Sequence, residues 1–285
     1  MDFKTELKKY QEQVNNELEK YLRKQDCPER ILNNAMEYSL MAGGKRLRPT
    51  LVLSTYKLFK ENLELAMPYA ISIEMVHNAS LIHDDLPGID NDNLRHGKPT
   101  NHKQFNEATA ILAGDGLFNY AYIVISSDLL NTENENELKN KIKIFKEFSI
   151  ATDRMLAGEY LDTECEGKNI SNEELKYIHK NKTGAYLRLC ARMGAILGGA
   201  TESQLEKITN YAEKIGLAFQ IKDDILSEIG DEKITGKPVG NDKEKGKCTY
   251  VSEYGLEKSK EILHQITNEA ILELILKKSI AVWKS

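Results

Sequence analysis

The sequence predicts an all-α protein, and three observations carry that prediction. Apolar residues recur at the helical period through residues 7–22, 31–41, 49–60, 66–86, 108–130, 137–160, 175–197, 204–227 and 256–283. Short alternating β-branched runs joined by Asn-Gly or Asp-Gly turns are nearly absent. Helix breakers fall between the periodic runs, at Cys27-Pro28, Gly43-Gly44, Pro87-Gly88, Gly97-Lys98-Pro99, Gly198-Gly199 and Gly236-Lys237-Pro238. With no internal repeat and no linker, residues 1–285 read as a single domain, one large bundle of roughly ten helices.

Taken in chain order, the 49–60 run opens on Pro49, which suits the first turn of a helix. The 66–86 run carries the apolar stretch 71–82 and stops at Pro87-Gly88. Runs 108–114 and 193–200 mix glycine and alanine with aliphatics, as close helix packing or a subunit contact requires, and a homodimer is expected. The charge-rich stretch 132–143 reads as a solvated loop and helix start, and Ser171-Asn172-Glu173-Glu174 as a capping box that opens the 175–197 run.

Composition narrows the function classes. A net charge of −5 argues against non-specific nucleic-acid binding. Cys27, Cys165, Cys190 and Cys248 form no CxxC pair, so neither a zinc site nor a disulfide framework is suggested. The start, Met1-Asp2-Phe3-Lys4-Thr5-Glu6, has no apolar signal core, and no stretch reads as a membrane span of ~20 apolar residues. A reduced cytoplasmic setting is expected.

The chemistry gathers at two acidic clusters, Asp84-Asp85-Leu86-Pro87-Gly88-Ile89-Asp90 and Asp223-Asp224-Ile225-Leu226-Ser227. Each follows an apolar helical run, where neighbouring carboxylates repel and lose hydration. A hard divalent cation removes that difficulty, and carboxylate with water suits Mg²⁺ completed by substrate phosphate. Either cluster alone also reads as a solvated helix end. An EF-hand does not fit, since counting from Asp90 puts Arg95 at the glycine position and Asn101 at the terminal glutamate.

Cations accompany the clusters. Gly43-Gly44-Lys45-Arg46-Leu47-Arg48-Pro49 places three cations and a flexible backbone ahead of a helix start, which is either an anion site or a solvated basic turn. His77 lies two turns before Asp84 on the same side of a continuous helix. Arg95, His96 and Lys98 follow the first cluster, and Gln220 shares a helix face with Asp223 and Asp224. Lys182-Thr183-Gly184 adds a cation, a hydroxyl and an expected helix distortion; Lys237 and Lys247 lie in basic loops.

These motifs, in this order and spacing, resemble the short-chain all-trans polyprenyl diphosphate synthases, particularly the bacterial farnesyl and geranylgeranyl diphosphate synthases. The likeness runs through residues 43–49, Ser80-Leu81-Ile82-His83-Asp84-Asp85 to Pro99-Thr100-Asn101-His102, Leu112-Ala113-Gly114-Asp115, Lys182-Thr183-Gly184, Phe219-Gln220-Ile221-Lys222-Asp223-Asp224 and Gly246-Lys247, and so covers most of the chain. The resemblance implies an isoprenoid-synthase bundle around a central cavity. It implies Mg²⁺ held by Asp84, Asp90 and Asp223, with Asp85 and Asp224 in support. It assigns an allylic diphosphate to Arg95, Lys182, Thr183, Gln220 and Lys237, and isopentenyl diphosphate to Lys45, Arg48, His77 and His96. Lys182, Thr183 and Gln220 are the expected catalytic residues: the first meets charge on the leaving group, and the other two aim oxygens at the allylic cation. No side chain reads as a dedicated base, so the departing diphosphate is expected to take the final proton.

Four departures from the family pattern stand out. Ser227 replaces an aspartate, His96 replaces a second arginine, Gly158-Glu159 replaces Gly-Gln ahead of Asp162, and the tail 281–285 lacks an arginine. Farnesyl diphosphate is the favoured product, because similarity to the bacterial farnesyl synthases is high and Phe118 and Tyr120, on the helix after Asp115, are expected to close the pocket from the opposite wall. Geranylgeranyl diphosphate is the alternative because Ala79 stands where an aromatic floor residue is common. A class I terpene cyclase would leave Lys45, Arg48 and His77 without use. A non-catalytic partner subunit would fit a loss such as Ser227.

Overall fold

The structure, a computed structural model, describes residues 3–21, 27–168, 170–229 and 249–275. It is all-α, as the periodicity predicts. The chain divides into two compact units, residues 1–143 and 144–284, and the division falls inside one helix.

In the first unit, α1 (Phe3–Tyr21), α2 (Arg30–Leu40) and α3 (Leu47–Lys57) surround α4 (Met67–Asp84). Pro68 in the first turn pre-sets the entry of α4, where its missing N–H costs nothing. The helix is buried nearly all round, from Tyr69 through Ile82. A helix apolar on every face must lie in an interior, and this one positions the first aspartate cluster. A short α5 (Asn101–Gln104) precedes α6 (Glu107–Leu130), whose Asn106 side chain caps the Thr109 N–H at 2.8 Å. α6 lies antiparallel along α4: Tyr69 donates to Asp128 Oδ2 at 2.7 Å at one end, and the His83 ring bonds the Ile111 carbonyl at 3.1 Å at the other. Gly114 makes this approach possible, because any β-carbon there would overlap the His83 ring. Leu94–Arg95 and Lys98–Pro99 form an antiparallel two-stranded hairpin that the strand signals did not announce; Gly97 at φ 76° closes it.

α7 (Glu135–Glu164) begins in the first unit. The stretch 132–143 is not simply solvated: Lys141 is 3% exposed and bonds Asp128 and Glu137, both at 2.9 Å. Its stem fills core space, and its charge is met on two sides. α6 is also, among the described residues, the one helix long and apolar enough by length and composition to cross a membrane, where the sequence reading expected none. One of its faces packs on α4.

The second unit continues α7 and adds α8 (Asn172–His179), a π-turn (Lys180–Gly184), α9 (Ala185–Gly198), α10 (Glu202–Ile229), α11 (Tyr250–Tyr254) and α12 (Leu256–Ile275). The 175–197 run is therefore two helices joined by one wide turn. The capping box forms, with Ser171 Oγ accepting from the Glu174 N–H and the Glu174 carboxylate accepting from the Ser171 N–H at 2.8 Å. α9 is buried along most of its length, including Tyr186, Leu189, Cys190 and Met193. Arg192 ties it to α7 through two 2.7 Å bonds to Glu147, and to α10 through Thr209 Oγ1 at 2.7 Å. Ile221, Ile225 and Tyr250 form a core that Leu263 and Ile266 of α12 cover.

Candidate active site

α4 delivers the first cluster and the loop after it folds back. The Asp90 N–H bonds the Asp84 carbonyl at 2.8 Å, and the Asn91 N–H reaches Leu86 O at 3.0 Å with Asn91 at φ 50°. The seven-residue turn thus returns Asp90 to the end of α4 beside Asp84. Asp84 and Asp90 are partly exposed, whereas Asp85 is 3% exposed and grips Arg95 through Nε and Nη2. Asp92 stands 3.6 Å from the same guanidinium. Arg95, expected to face a diphosphate, is therefore anchored to the aspartate loop by the hairpin that carries it.

The glycine loop before α3 sorts its three cations. Gly43 and Gly44 hold φ near 115°, conformations costly for any residue with a β-carbon. Arg46, at φ 48°, is 3% exposed and donates to Glu74 Oε1 at 2.6 Å, Leu40 O at 2.6 Å and Asn15 Oδ1 at 2.9 Å. Its charge is spent inside the unit, so the three-cation reading of this loop becomes two: exposed Lys45 and half-buried Arg48. Arg48 Nη1 donates to His77 Nε2 at 3.3 Å. A guanidinium can only donate, so that nitrogen accepts and the imidazole is neutral. Desolvation, then Arg48, Arg95, Arg46 and His96, hold the His77 imidazole well below its ordinary range. His96 lies near the loop, since a methyl added at Gly44 would sit 3.7 Å from its Nε2. Partial desolvation and the Arg95 and Arg46 charges lower its pKa as well, so His96 offers hydrogen bonds rather than charge at neutral pH. Arg48, His77 and His96 thus gather near the loop, with Lys45 on the loop itself.

In the second unit the expected distortion is the π-turn. Gly158 of α7 lies so close that an added methyl would sit 2.7 Å from Lys182 Cα, and a methyl on Gly216 of α10 would sit 3.2 Å from Gly184 Cα. Pinned between these helices, the turn buries Thr183 and leaves Lys182 partly exposed, bonded to Glu159 at 2.8 Å and Asp162 at 2.6 Å. Neither acidic partner was foreseen; their i, i+3 spacing on one helix after Gly158 was the available signal.

The second cluster divides its labour as the first does. Asp223 is exposed. Asp224 is 5% exposed, accepts from the Tyr250 N–H at 2.8 Å, and receives a long 3.4 Å bond from Gln220 Nε2. It fixes the start of α11 rather than facing outward. Lys237 and Lys247 lie outside the described residues. Among the described residues no three His, Cys, Asp or Glu side chains converge into a closed metal cage. An accessible pair such as Asp84 and Asp90 still fits Mg²⁺, which takes one or two carboxylates and fills its shell with water and phosphate.

His179, next to the π-turn, stacks on Tyr250 with centroids 5.7 Å apart, and its Nδ1 is buried without a hydrogen-bond partner. Burial lowers its pKa to about 4, opposed by Asp162 and reinforced by Lys182. The unfolded chain therefore binds this proton more readily, and stability is lost as pH falls from 6.5 toward about 4. His179→Phe keeps the stack without the titration. Thermal melts at pH 7 and pH 4.5 should show a smaller acid loss for the variant, by about 2 kcal/mol. Equal acid losses would mean that His179 does not carry the pH dependence.

With this geometry in hand, the relatives are informative. The polyprenyl synthetase family model matches residues 29–279. Farnesyl diphosphate synthase of Geobacillus stearothermophilus is 44% identical over 262 residues, covering 90% of this chain and 86% of the relative. Geranylgeranyl pyrophosphate synthase 4 of Arabidopsis thaliana is 43% identical over 84% of this chain and 64% of its own. Among solved structures, an FPP/GFPP synthase of Zymomonas mobilis superposes with a TM-score of 0.85 at 33% identity, over 98% of this chain and 94% of that one. The chain belongs to the polyprenyl synthetase family, in its short-chain all-trans branch. Its fold is the all-α isoprenoid-synthase fold.

Proposed function

We propose that the whole chain works as one prenyltransferase, condensing isopentenyl diphosphate with dimethylallyl and geranyl diphosphates to form farnesyl diphosphate. The observation that carries this is the 44% identity to a farnesyl diphosphate synthase across 90% of the chain. Geranylgeranyl diphosphate remains the alternative product, since synthases of that name match at 43%. A terpene cyclase and an inactive subunit have less support, because Lys45, Arg48 and His77 are present and both clusters keep their leading aspartates.

Each residue then has a task. Asp84, Asp90 and Asp223 hold Mg²⁺, which when bound supplies Lewis-acid stabilisation of the leaving diphosphate. Arg95, Lys182 and Lys237 bind the allylic diphosphate, while Lys45, Arg48, neutral His77 and His96 bind isopentenyl diphosphate. Thr183 and Gln220 turn oxygen toward the allylic cation as the carbon–oxygen bond breaks. The isopentenyl double bond attacks, and the departing diphosphate removes the proton. Water must be excluded meanwhile, since it would trap the cation.

Chain length is read at the helix before Asp84. Ala79 is fully buried, one turn before His83 on the face that α4 turns toward α6. A tyrosine there would overpack the helix pair and cost roughly 1–3 kcal/mol. Ser80, half-buried and bonded to the His77 carbonyl at 2.9 Å, is the cleaner probe. Phe118 packs on His83 with centroids 5.8 Å apart, while Tyr120 lines a cavity with Pro68 at the other end of α4, so the two do not form one wall. Purified protein with Mg²⁺, labelled isopentenyl diphosphate and dimethylallyl diphosphate should yield C15 alcohol after dephosphorylation, and Ser80→Phe should shorten it. Cyclic hydrocarbon, or no product from the single chain, would overturn the assignment.

We further place the protein in the cytoplasm as a homodimer. The support for the dimer is a stripe along α6, Leu112, Ile123 and Leu130, exposed by 40% or more and spaced three and five turns apart. Light scattering should give twice 32.4 kDa, and a mass of one chain would refute the dimer.

A further inference from the structure

Lys182 is assigned above to the allylic diphosphate, yet its ammonium already has two anionic partners. Glu159 Oε2 stands at 2.8 Å and Asp162 Oδ2 at 2.6 Å. Both carboxylates leave one face of α7, three residues apart. Gly158 brings α7 against the backbone of the π-turn itself, so this group is set by helix–helix contact and not by the reach of a long side chain. None of the three side chains is sealed: Glu159 is 18% exposed, Asp162 21% and Lys182 26%. An incoming diphosphate can reach the ammonium, and must compete with Glu159 for it.

We propose that Glu159 is a positioning residue that sets the affinity for the allylic diphosphate by holding Lys182 in a competing ion pair. This rests on the assignment of Lys182 to that substrate. A glutamine at 159 would still accept a hydrogen bond from the ammonium but would remove the negative charge, and with it the Coulombic attraction of the ion pair. Substrate then takes over Lys182 with less opposition. Because Glu159 acts on a binding group and not on the reacting carbons, the effect falls on KM more than on kcat.

The test is Glu159→Gln, assayed with geranyl and isopentenyl diphosphates, alongside calorimetric titration of inorganic diphosphate with Mg²⁺. The KM for geranyl diphosphate should fall on the order of fivefold, with kcat moving less and the KM for isopentenyl diphosphate unmoved. Inorganic diphosphate should bind tighter by a similar factor. In a Lys182→Met background the same substitution should change neither value, since a double-mutant cycle isolates the pair. Tighter diphosphate binding in a protein that forms no prenyl product would uphold this role for Glu159 while removing the prenyltransferase reading. Normal turnover with an unchanged or raised KM in Glu159→Gln would overturn the role and leave that reading standing.

Discussion

Asp84→Ala should lower kcat on the order of a thousandfold while leaving the helical fold intact. Asp84 ends α4 with its carboxylate partly exposed, and the loop returns Asp90 to it through the 2.8 Å backbone bond. The loss falls where leaving-group charge develops, and groups there contribute far more to the transition state than to the ground state. Asp223→Ala should behave alike, because Asp223 is exposed on α10. The neighbouring aspartate gives the control. Asp85→Ala strips Arg95 of its main partner in a largely buried position, and should cost about 2 kcal/mol of stability. Turnover at limiting Mg²⁺ and melting temperature together check the pattern. Near-normal turnover by Asp84→Ala would remove it from the metal site.

The second large effect is expected from the smallest change. Gly158→Ala puts a methyl where the backbone of Lys182 and Asn181 already lies, so α7 or the π-turn must move. Overpacking of this kind costs roughly 1–3 kcal/mol. The activity loss should exceed what stability explains, since displacing a positioned group by ~1 Å can cost about a hundredfold. Melting temperature and kcat of Gly158→Ala should therefore fall together, at a temperature where the variant is still folded. An unchanged kcat would show that the turn tolerates the shift and that Lys182 needs no such placement.

Much of this is legible in the sequence. Apolar periodicity located α4, α6 and α10 within a few residues, because each of them buries a broad face. The same pattern ran straight through residues 180–184, since one widened turn shifts the apolar stripe too little to interrupt it. Charge was harder to read. Arg46 and Lys141 look like surface cations in a string of letters, and only long-range partners, Glu74 and Asp128, explain their burial. Within Asp84-Asp85 and Asp223-Asp224, adjacent residues on a helix point about 100° apart, so one of each pair turns inward. Which one turns inward depends on what waits there, Arg95 in one case and the Tyr250 N–H in the other. Lys182 was recognisable as a cation of the site, but not its two acidic partners on α7.

The π-turn has a consequence for lineage and design. Such a turn holds one residue more than regular helix, so α8 and α9 amount to one long helix with a single-residue insertion. Deleting one residue between 180 and 184 would restore ordinary winding and leave a continuous rod. Because the wide turn absorbs the extra residue, the faces of α8 and α9 would stay nearly aligned across the deletion. What the deletion would remove is the displaced backbone that now lies against Gly158 and Gly216, and with it the placement of Lys182 and Thr183. Length in this segment is therefore tied to the site more than to the fold: the two helices could absorb the loss of one residue, whereas the position of Lys182 could not.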